Sequence, residues 1–236
     1  MKLQVISDLH LDTYRKPEEV KKFFLQNEDQ ADVLIVAGDV CEMRSPLWLD
    51  FYRDASKQYE YVLGVLGNHE YYETAHAVVE ESIKELPNNV RVLRREAVTL
   101  EGNVFAGTTL WFNDKFPSYR KTIGDFYHIP SFEPWVYQQH ELDRDFLRKQ
   151  KAAVIITHHM PCYTSVSNRF VGSPLNHFFV SDCTEIIKQT QPKLWVHGHG
   201  HDECYYNLGT TVVACNPLGY PHERKTYKNV IYSLPS

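Results

Sequence analysis

Residues 33–39 read Val33-Leu34-Ile35-Val36-Ala37-Gly38-Asp39, and this stretch decides the fold. Five apolar residues without a polar break make a strand buried on both faces, as in the interior of a parallel sheet. The Gly-Asp that follows sets a carboxylate just past the strand's carboxyl end, where open α/β sheets bind ligands. The same arrangement recurs along the chain. Residues 2–7 lead into Asp8 and His10, and 61–66 lead into Gly67, Asn68, His69 and Glu70. Residues 153–157 lead into His158 and His159, and 194–196 into His197, Gly198, His199, Gly200 and His201. Strand after strand delivers Asp, Asn or His to one edge, which is what a metal centre requires.

The spacings carry further expectations. In extended backbone, residues two apart point to one side, so Asp8 and His10 are expected to reach one ion together, as are His199 and His201. Glycines at 38, 67, 198 and 200 are expected to let the backbone turn sharply at the rim. The donors are oxygen and imidazole nitrogen with no thiolate, which suits Mn²⁺, Fe, Zn²⁺ or Co²⁺ at open sites. A closed structural zinc site would favour cysteine. Taken singly, a D-x-H or a Gly-Asp is ordinary turn chemistry. The ordered set at successive strand ends is what carries the argument.

Between the strands lie helix signals. Pro17 opens a helix ending near Gln26, and Ser45-Pro46 pairs an N-cap with proline at the first helical position. Val79, Ile83 and Leu86 give residues 72–86 helical spacing, and Asp182 with Glu185 resembles a capping box. The alternation implies an α/β fold with largely parallel strands. Residues 90–93, 98–100 and 103–109, and again 210–215 and 229–234, follow without helices, so a second or mixed sheet is expected. Residues 113–150 form an aromatic-rich insertion, irregular until a helix at about 138–149. It is either a packed excursion with its own small core or a substrate-shaping lid, since long ordered loops are often functional. In the second reading Trp111, Phe116 and Trp135 set specificity while supplying no metal ligand.

Whole-chain properties bound the answer. The chain has 236 residues, 43% hydrophobic and 23% charged, which suits one single-core domain over 1–236. No window approaches a membrane span, and residues 2–7 lead into Asp8 with no cleavage pattern, so a cytoplasmic location is expected. The net charge of −5, without a basic cluster, argues against a dedicated nucleic-acid groove. Five dispersed cysteines fit reduced thiols and not a disulfide framework. Twelve histidines are the unusual count, because so many of them fall at the strand ends.

The series D-x-H, G-D, G-N-H-E, H and G-H-x-H, spanning residues 8–201, resembles the calcineurin-like metallophosphoesterase superfamily. That resemblance implies a four-layer α/β/β/α sandwich of two mixed sheets flanked by helices, with two divalent metal ions at one edge. It implies that Asp8, His10, Asp39 and His201 hold the first ion. Asp39 would bridge to a second ion completed by Asn68, His158 and His199. His158 is preferred over His159 because it directly follows the apolar run. His69 would act beside the metals without binding them, oriented by Glu70 or Asp8. His197 reads as a strand-end residue, and His76, His128, His140, His177 and His222 as surface or packing residues.

The expected chemistry is hydrolysis of a small phosphate ester, monoester or diester, with manganese the metal of choice in vitro. Two divalent ions lower the pKa of a shared water, hold the resulting hydroxide for attack on phosphorus and clamp the phosphoryl oxygens. His69 would protonate the leaving group as general acid, a role that imidazole fills more often than any other side chain. After Asp39 the chain reads Val40-Cys41-Glu42, so the arginine that grips phosphate in dedicated serine/threonine protein phosphatases has no match. A nuclease is less expected. The rival of another class is a catalytically silent protein-binding scaffold on the same fold, disfavoured because every motif position is filled.

Overall fold

The computed structural model describes residues 1–113, 116–223 and 229–234. In the first sheet β1 (Lys2–Ile6), β2 (Val33–Ala37), β3 (Tyr61–Val65) and β4 (Val90–Val92) run parallel. β11 (Ile231–Ser233) closes the β1 edge antiparallel. The second sheet contains β5 (Glu96–Leu100), β6 (Asn103–Thr108), β7 (Val154–Thr157), β8 (Leu194–His197), β9 (Cys204–Leu208) and β10 (Thr211–Cys215). Its order is β5-β6-β7-β8-β10-β9, parallel through the middle with an antiparallel hairpin at each edge. Both sheets are mixed.

The period of two along each strand explains the layers. Val33, Ile35 and Ala37 of β2 join Leu3, Val5, Leu63 and Val65 in a core shared with Phe105, Val154, Ile156, Leu194 and Val196 of the second sheet. The alternate residues Leu34 and Val36 face outward onto Phe24 of α1 (Pro17–Phe24) and onto Trp48, Phe51 and Tyr52 of α2 (Pro46–Ala55). On the far side, Ile155, Trp195 and Val213 meet Leu147 of α5 (Phe132–Arg148) and Ile186 and Ile187 of α6 (Thr184–Thr190). Two sheets packed face to face, each covered outside by helices, make the expected four-layer sandwich.

Several local expectations shift. Ser45 caps α2 as read, its side chain accepting from the Leu47 N–H at 3.4 Å. α1 stops at Phe24. The helix expected from Tyr72 starts later, as α3 (His76–Lys84), because residues 69–71 form a 3₁₀ turn and Tyr72 is extended. Tyr72 is held there by stacking on His69 and by donating to Asp125 at 2.7 Å. The Asp182–Glu185 capping box does not form. Cys183 is the N-cap, Asp182 accepts from the Thr184 N–H, and Glu185 pairs with Lys188.

The insertion folds as a 3₁₀ turn (Pro117–Thr122), the short α4 (Asp125–His128) and α5, which begins ahead of the expected helix; residues 114 and 115 lie outside the described set. Ile123, Ile129, Phe132 and Val136 belong to the same apolar cluster as α1 and α2, so the insertion has no separate small core. Buried Asp143 ties α5 to the second sheet, accepting from Thr108 Oγ1 at 2.6 Å, Arg95 at 2.8 Å and the Trp111 N–H at 3.2 Å.

Candidate metal centre

The carboxyl ends of β1, β2, β3, β7 and β8 open onto one edge of the sandwich. Here the chain departs from the extended geometry expected of it. Asp8 (φ 52°), His10 (φ 42°), Asp39 (φ 56°), His199 (φ 67°) and His201 (φ 49°) all lie in the left-handed region. Such conformations are costly for side-chain-bearing residues and cluster where function over-determines them. Asp8 and His10 are therefore brought into one donor group by tight left-handed turns and not by strand alternation, whereas His199 and His201, expected to reach one ion together, fall into different groups. Gly38, at φ 86°, is the one glycine of the four expected at the rim that turns this way. Gly67 serves by its size, since a Cβ there would lie 2.1 Å from Asp39 Oδ1 and 2.7 Å from the His158 ring.

Among the described residues three overlapping groups of donors result: Asp8, His10 and His201; His10, Asp39 and His69; Asp39, His158 and His199. Asp39 Oδ2 faces both sides of the cluster, 3.8 Å from His10 Nε2 and 3.4 Å from His158 Nε2. Asn68 Oδ1 lies 3.0 Å from His158 Nε2. On the other side His10 Nε2 and His201 Nε2 are 3.0 Å apart, with Asp8 Oδ1 3.6 Å from His201 Nε2. Lone pairs of imidazole and carboxylate crowded this closely in a buried site call for a cation, and the donor set fits a divalent ion. The seven side chains assigned to metal by sequence thus converge, and they divide at Asp39.

The surrounding hydrogen bonds orient these donors as metal sites require. His158 Nδ1 donates to the Ala37 carbonyl at 2.8 Å, which turns Nε2 toward Asp39. His159 faces Trp111 and Phe112, with Nδ1 3.4 Å from the Thr109 carbonyl, so the geometry favours His158 as the donor. His201 Nδ1 donates to Glu223 at 2.7 Å. The Asn68 amide donates to Asp125 Oδ1 at 2.8 Å, leaving its carbonyl oxygen for the cluster. Glu70 was a candidate to orient His69 and has another role. Its carboxylate accepts from the N–H groups of Asp39 (3.0 Å), Val40 (2.8 Å) and Gly67 (2.7 Å), pinning two strand ends together. Asp8 accepts from Ser7 Oγ and from the His199 N–H, and likewise does not orient His69.

Electrostatics follow from burial and crowding. Burial works to raise the Asp39 carboxyl, but the His158, His69 and His10 rings outweigh it and hold it well below the usual range. Burial lowers His10 and His199 well below the ordinary imidazole value, leaving neutral rings suited to ligation. Burial would lower His158 too, but the charge and hydrogen bond of Asp39 push it up to about 10. Glu70 is driven up to about 8 by burial and by Asp39.

His69 sits over the cluster, its ring 4.5 Å from that of His10 and stacked on Tyr72 at 4.2 Å. Its Nε2 lies 3.1 Å from the Tyr220 hydroxyl, and the Tyr220 ring stacks on His10 at 4.4 Å. Burial and Asp39 push the Tyr220 phenol above its ordinary range, so it stays neutral. A cleft of about 360 Å³ opens from these groups, lined by Thr122 to Asp125 of the insertion and by parts of residues 160–179. Trp111, Phe116 and Trp135 do not line it. Trp111 and Trp135 pack on Tyr71, and Phe116 lies against His177. His197 also stands away from the cluster, 3.3 Å from Cys204 Sγ. Sequence reasoning missed Asp125, Tyr220 and Glu223, which sit in irregular segments where no period or motif marks them.

Comparisons with known proteins agree with this architecture. An uncharacterized protein of Acanthamoeba polyphaga mimivirus is 25% identical over 269 aligned residues, covering 98% of this chain and 95% of that one. Among solved structures, a phosphopantetheinyl hydrolase from Mycobacterium tuberculosis superposes with a TM-score of 0.78. It is 16% identical, and the match covers 97% of this chain and 95% of that one. A dimetal phosphatase from Danio rerio superposes with a TM-score of 0.53 at 12% identity, over 91% of this chain and 86% of that one. At these identities the solved structures speak for the fold. Residues 1–203 match the family described as calcineurin-like phosphoesterase, whose members use divalent metals, and the chain belongs to that family.

Proposed function

We propose that this phosphoesterase uses a dinuclear metal site in which Asp8, His10, Asp39 and His201 hold one divalent ion. Asp39, Asn68, His158 and His199 hold the other. The observation that carries the reading is Asp39 Oδ2, which faces His10 on one side and His158 on the other. When bound, the ions supply an activated water and charge stabilisation for the phosphoryl oxygens. The chain's own residues supply the rest. Glu70 fixes the backbone of Asp39, and Asp125 keeps the Asn68 carbonyl oxygen turned to the cluster. Glu223 keeps His201 Nε2 turned inward. His69 is the general acid that protonates the leaving oxygen. Tyr220 accepts from a protonated Nε2 or donates to a bare one, and so holds the ring in one orientation in either state.

His69 also lies within reach of His10 and Asp39 as a donor, so its role needs separating from ligation. Two variants do this. Asp39→Asn should remove most bound Mn²⁺ and activity together, because both ions share that carboxylate. His69→Asn should keep the metals but lower turnover by about 10²–10⁴-fold for alkyl esters, and less for nitrophenyl esters, which leave without a proton. Near-normal activity in Asp39→Asn contradicts the shared carboxylate. Loss of metal in His69→Asn makes that residue a ligand. Monoester and diester nitrophenyl substrates are the first to assay. The mycobacterial neighbour's name adds phosphopantetheine-bearing esters to the panel.

A further inference from the structure

The cleft beyond the metal cluster is chemically lopsided. One wall is apolar: Ile123 from the insertion, then Met160, Val166, Phe170, Leu175 and Phe179. Three short 3₁₀ turns (Tyr163–Ser165, Asn168–Phe170 and Pro174–Phe178) fold this segment back over the site. The wall is continuous with the cluster, since the Phe179 ring stacks on the His199 ring at 4.6 Å and 29°. It also runs out to solvent, where Phe170 is 47% and Val171 70% exposed. Aromatic and aliphatic groups left open at the mouth of a site are candidates for contact with a ligand.

The charged groups around this wall are committed elsewhere. Arg169 donates to Asp202 at 2.8 Å and lies over the Phe170 ring at 4.6 Å. Asp125 is held by Asn68 and Tyr72, and Glu223 by His201 and the Tyr220 N–H. Among the described residues, then, Arg169, Asp125 and Glu223 of the lining each have a partner within the chain.

We propose that the cleft selects phosphate esters whose second organic group is uncharged and apolar, an alkyl, aryl or acyl arm lying along the wall from Ile123 to Phe179. This deepens the phosphoesterase reading above and rests on it. The phosphoryl group faces the cluster, and the arm supplies binding energy by burying apolar surface.

The test uses the full chain loaded with Mn²⁺ and a series of nitrophenyl phosphodiesters bearing methyl, butyl or octyl as second group. All carry one negative charge and the same leaving group, so only the arm changes. Transfer of a methylene from water favours binding by about fourfold in affinity, and kcat/KM is expected to climb at about that rate until the wall is filled. The gain should be carried by KM. A butyl arm ending in a carboxylate should lose the gain. Phe170→Ser and the near-isosteric Val166→Thr should shrink the octyl-to-methyl ratio, with Phe170→Leu restoring most of it, while thermal unfolding verifies that each variant is folded. A flat series in the wild type, equal use of the carboxylate arm, or an unchanged ratio in both polar variants overturns the proposal. If all esters are cleaved alike, only the arm assignment falls. If no diester is cleaved above the buffer rate while nitrophenyl phosphate is, the arm assignment falls and the phosphoesterase reading stands; if the monoester is untouched as well, both fall.

Discussion

Tyr220 is a residue with no sequence motif that sits at the centre of the site. Its ring stacks on His10, its hydroxyl meets His69 Nε2 at 3.1 Å, and its N–H donates to Glu223 at 2.8 Å. Tyr220→Phe keeps the ring and removes only the hydroxyl. Without the hydroxyl the His69 ring is no longer held in one orientation, so turnover of alkyl esters should fall by about tenfold or more at constant KM and metal content. Adding it to His69→Asn should cost little further, because the hydroxyl acts through that ring. Additive losses in the double variant would show that Tyr220 works independently of His69. The candidate ligands were legible in sequence because they sit at or just beyond the ends of apolar runs, as at Asp39 and His158. Tyr220, Glu223 and Asp125 were not, because their role depends on where irregular chain returns in space.

Among the elements, the strands and the insertion contrast most. β2 was readable because burial on both faces leaves no polar residue in it. The start of α3 was not, because Tyr72 has helical spacing yet is claimed by His69 and Asp125. The same tertiary pull reassigns the insertion. Its aromatics left open a packed excursion with its own small core or a pocket wall, whereas Phe132 and Val136 feed the main core and, among its described residues, 122–125 reach the cleft. What fixes α5 to the sheet is polar: Asp143 is buried and accepts from Thr108, Arg95 and Trp111. Asp143→Ala leaves the Thr108 hydroxyl and the Trp111 N–H without this acceptor, and should destabilise the protein by about 3 kcal/mol in urea unfolding. A loss below about 1 kcal/mol would mean that apolar packing alone anchors the helix.

Across the whole molecule, two sheets share one core and bring their carboxyl ends to a common edge. Asp8, His10, Asp39 and Asn68 come from the first sheet, and His158, His199 and His201 from the second. The cluster therefore bridges both sheets, and neither alone supplies a complete set. Five of these residues hold left-handed backbone, at a cost of roughly 1–3 kcal/mol each that a bound cation helps to offset. The order of motifs along the chain made this architecture readable, while the left-handed turns were hidden because Asp and His do not announce them as glycine does. The measurement closest to the central claim is the metal content of the purified full chain, counted by elemental mass spectrometry after loading with Mn²⁺, beside hydrolysis of a nitrophenyl diester. The account predicts about two ions per chain, with activity abolished by a chelator and restored by Mn²⁺. A single ion per chain at saturation, or hydrolysis that survives complete removal of metal, would contradict it.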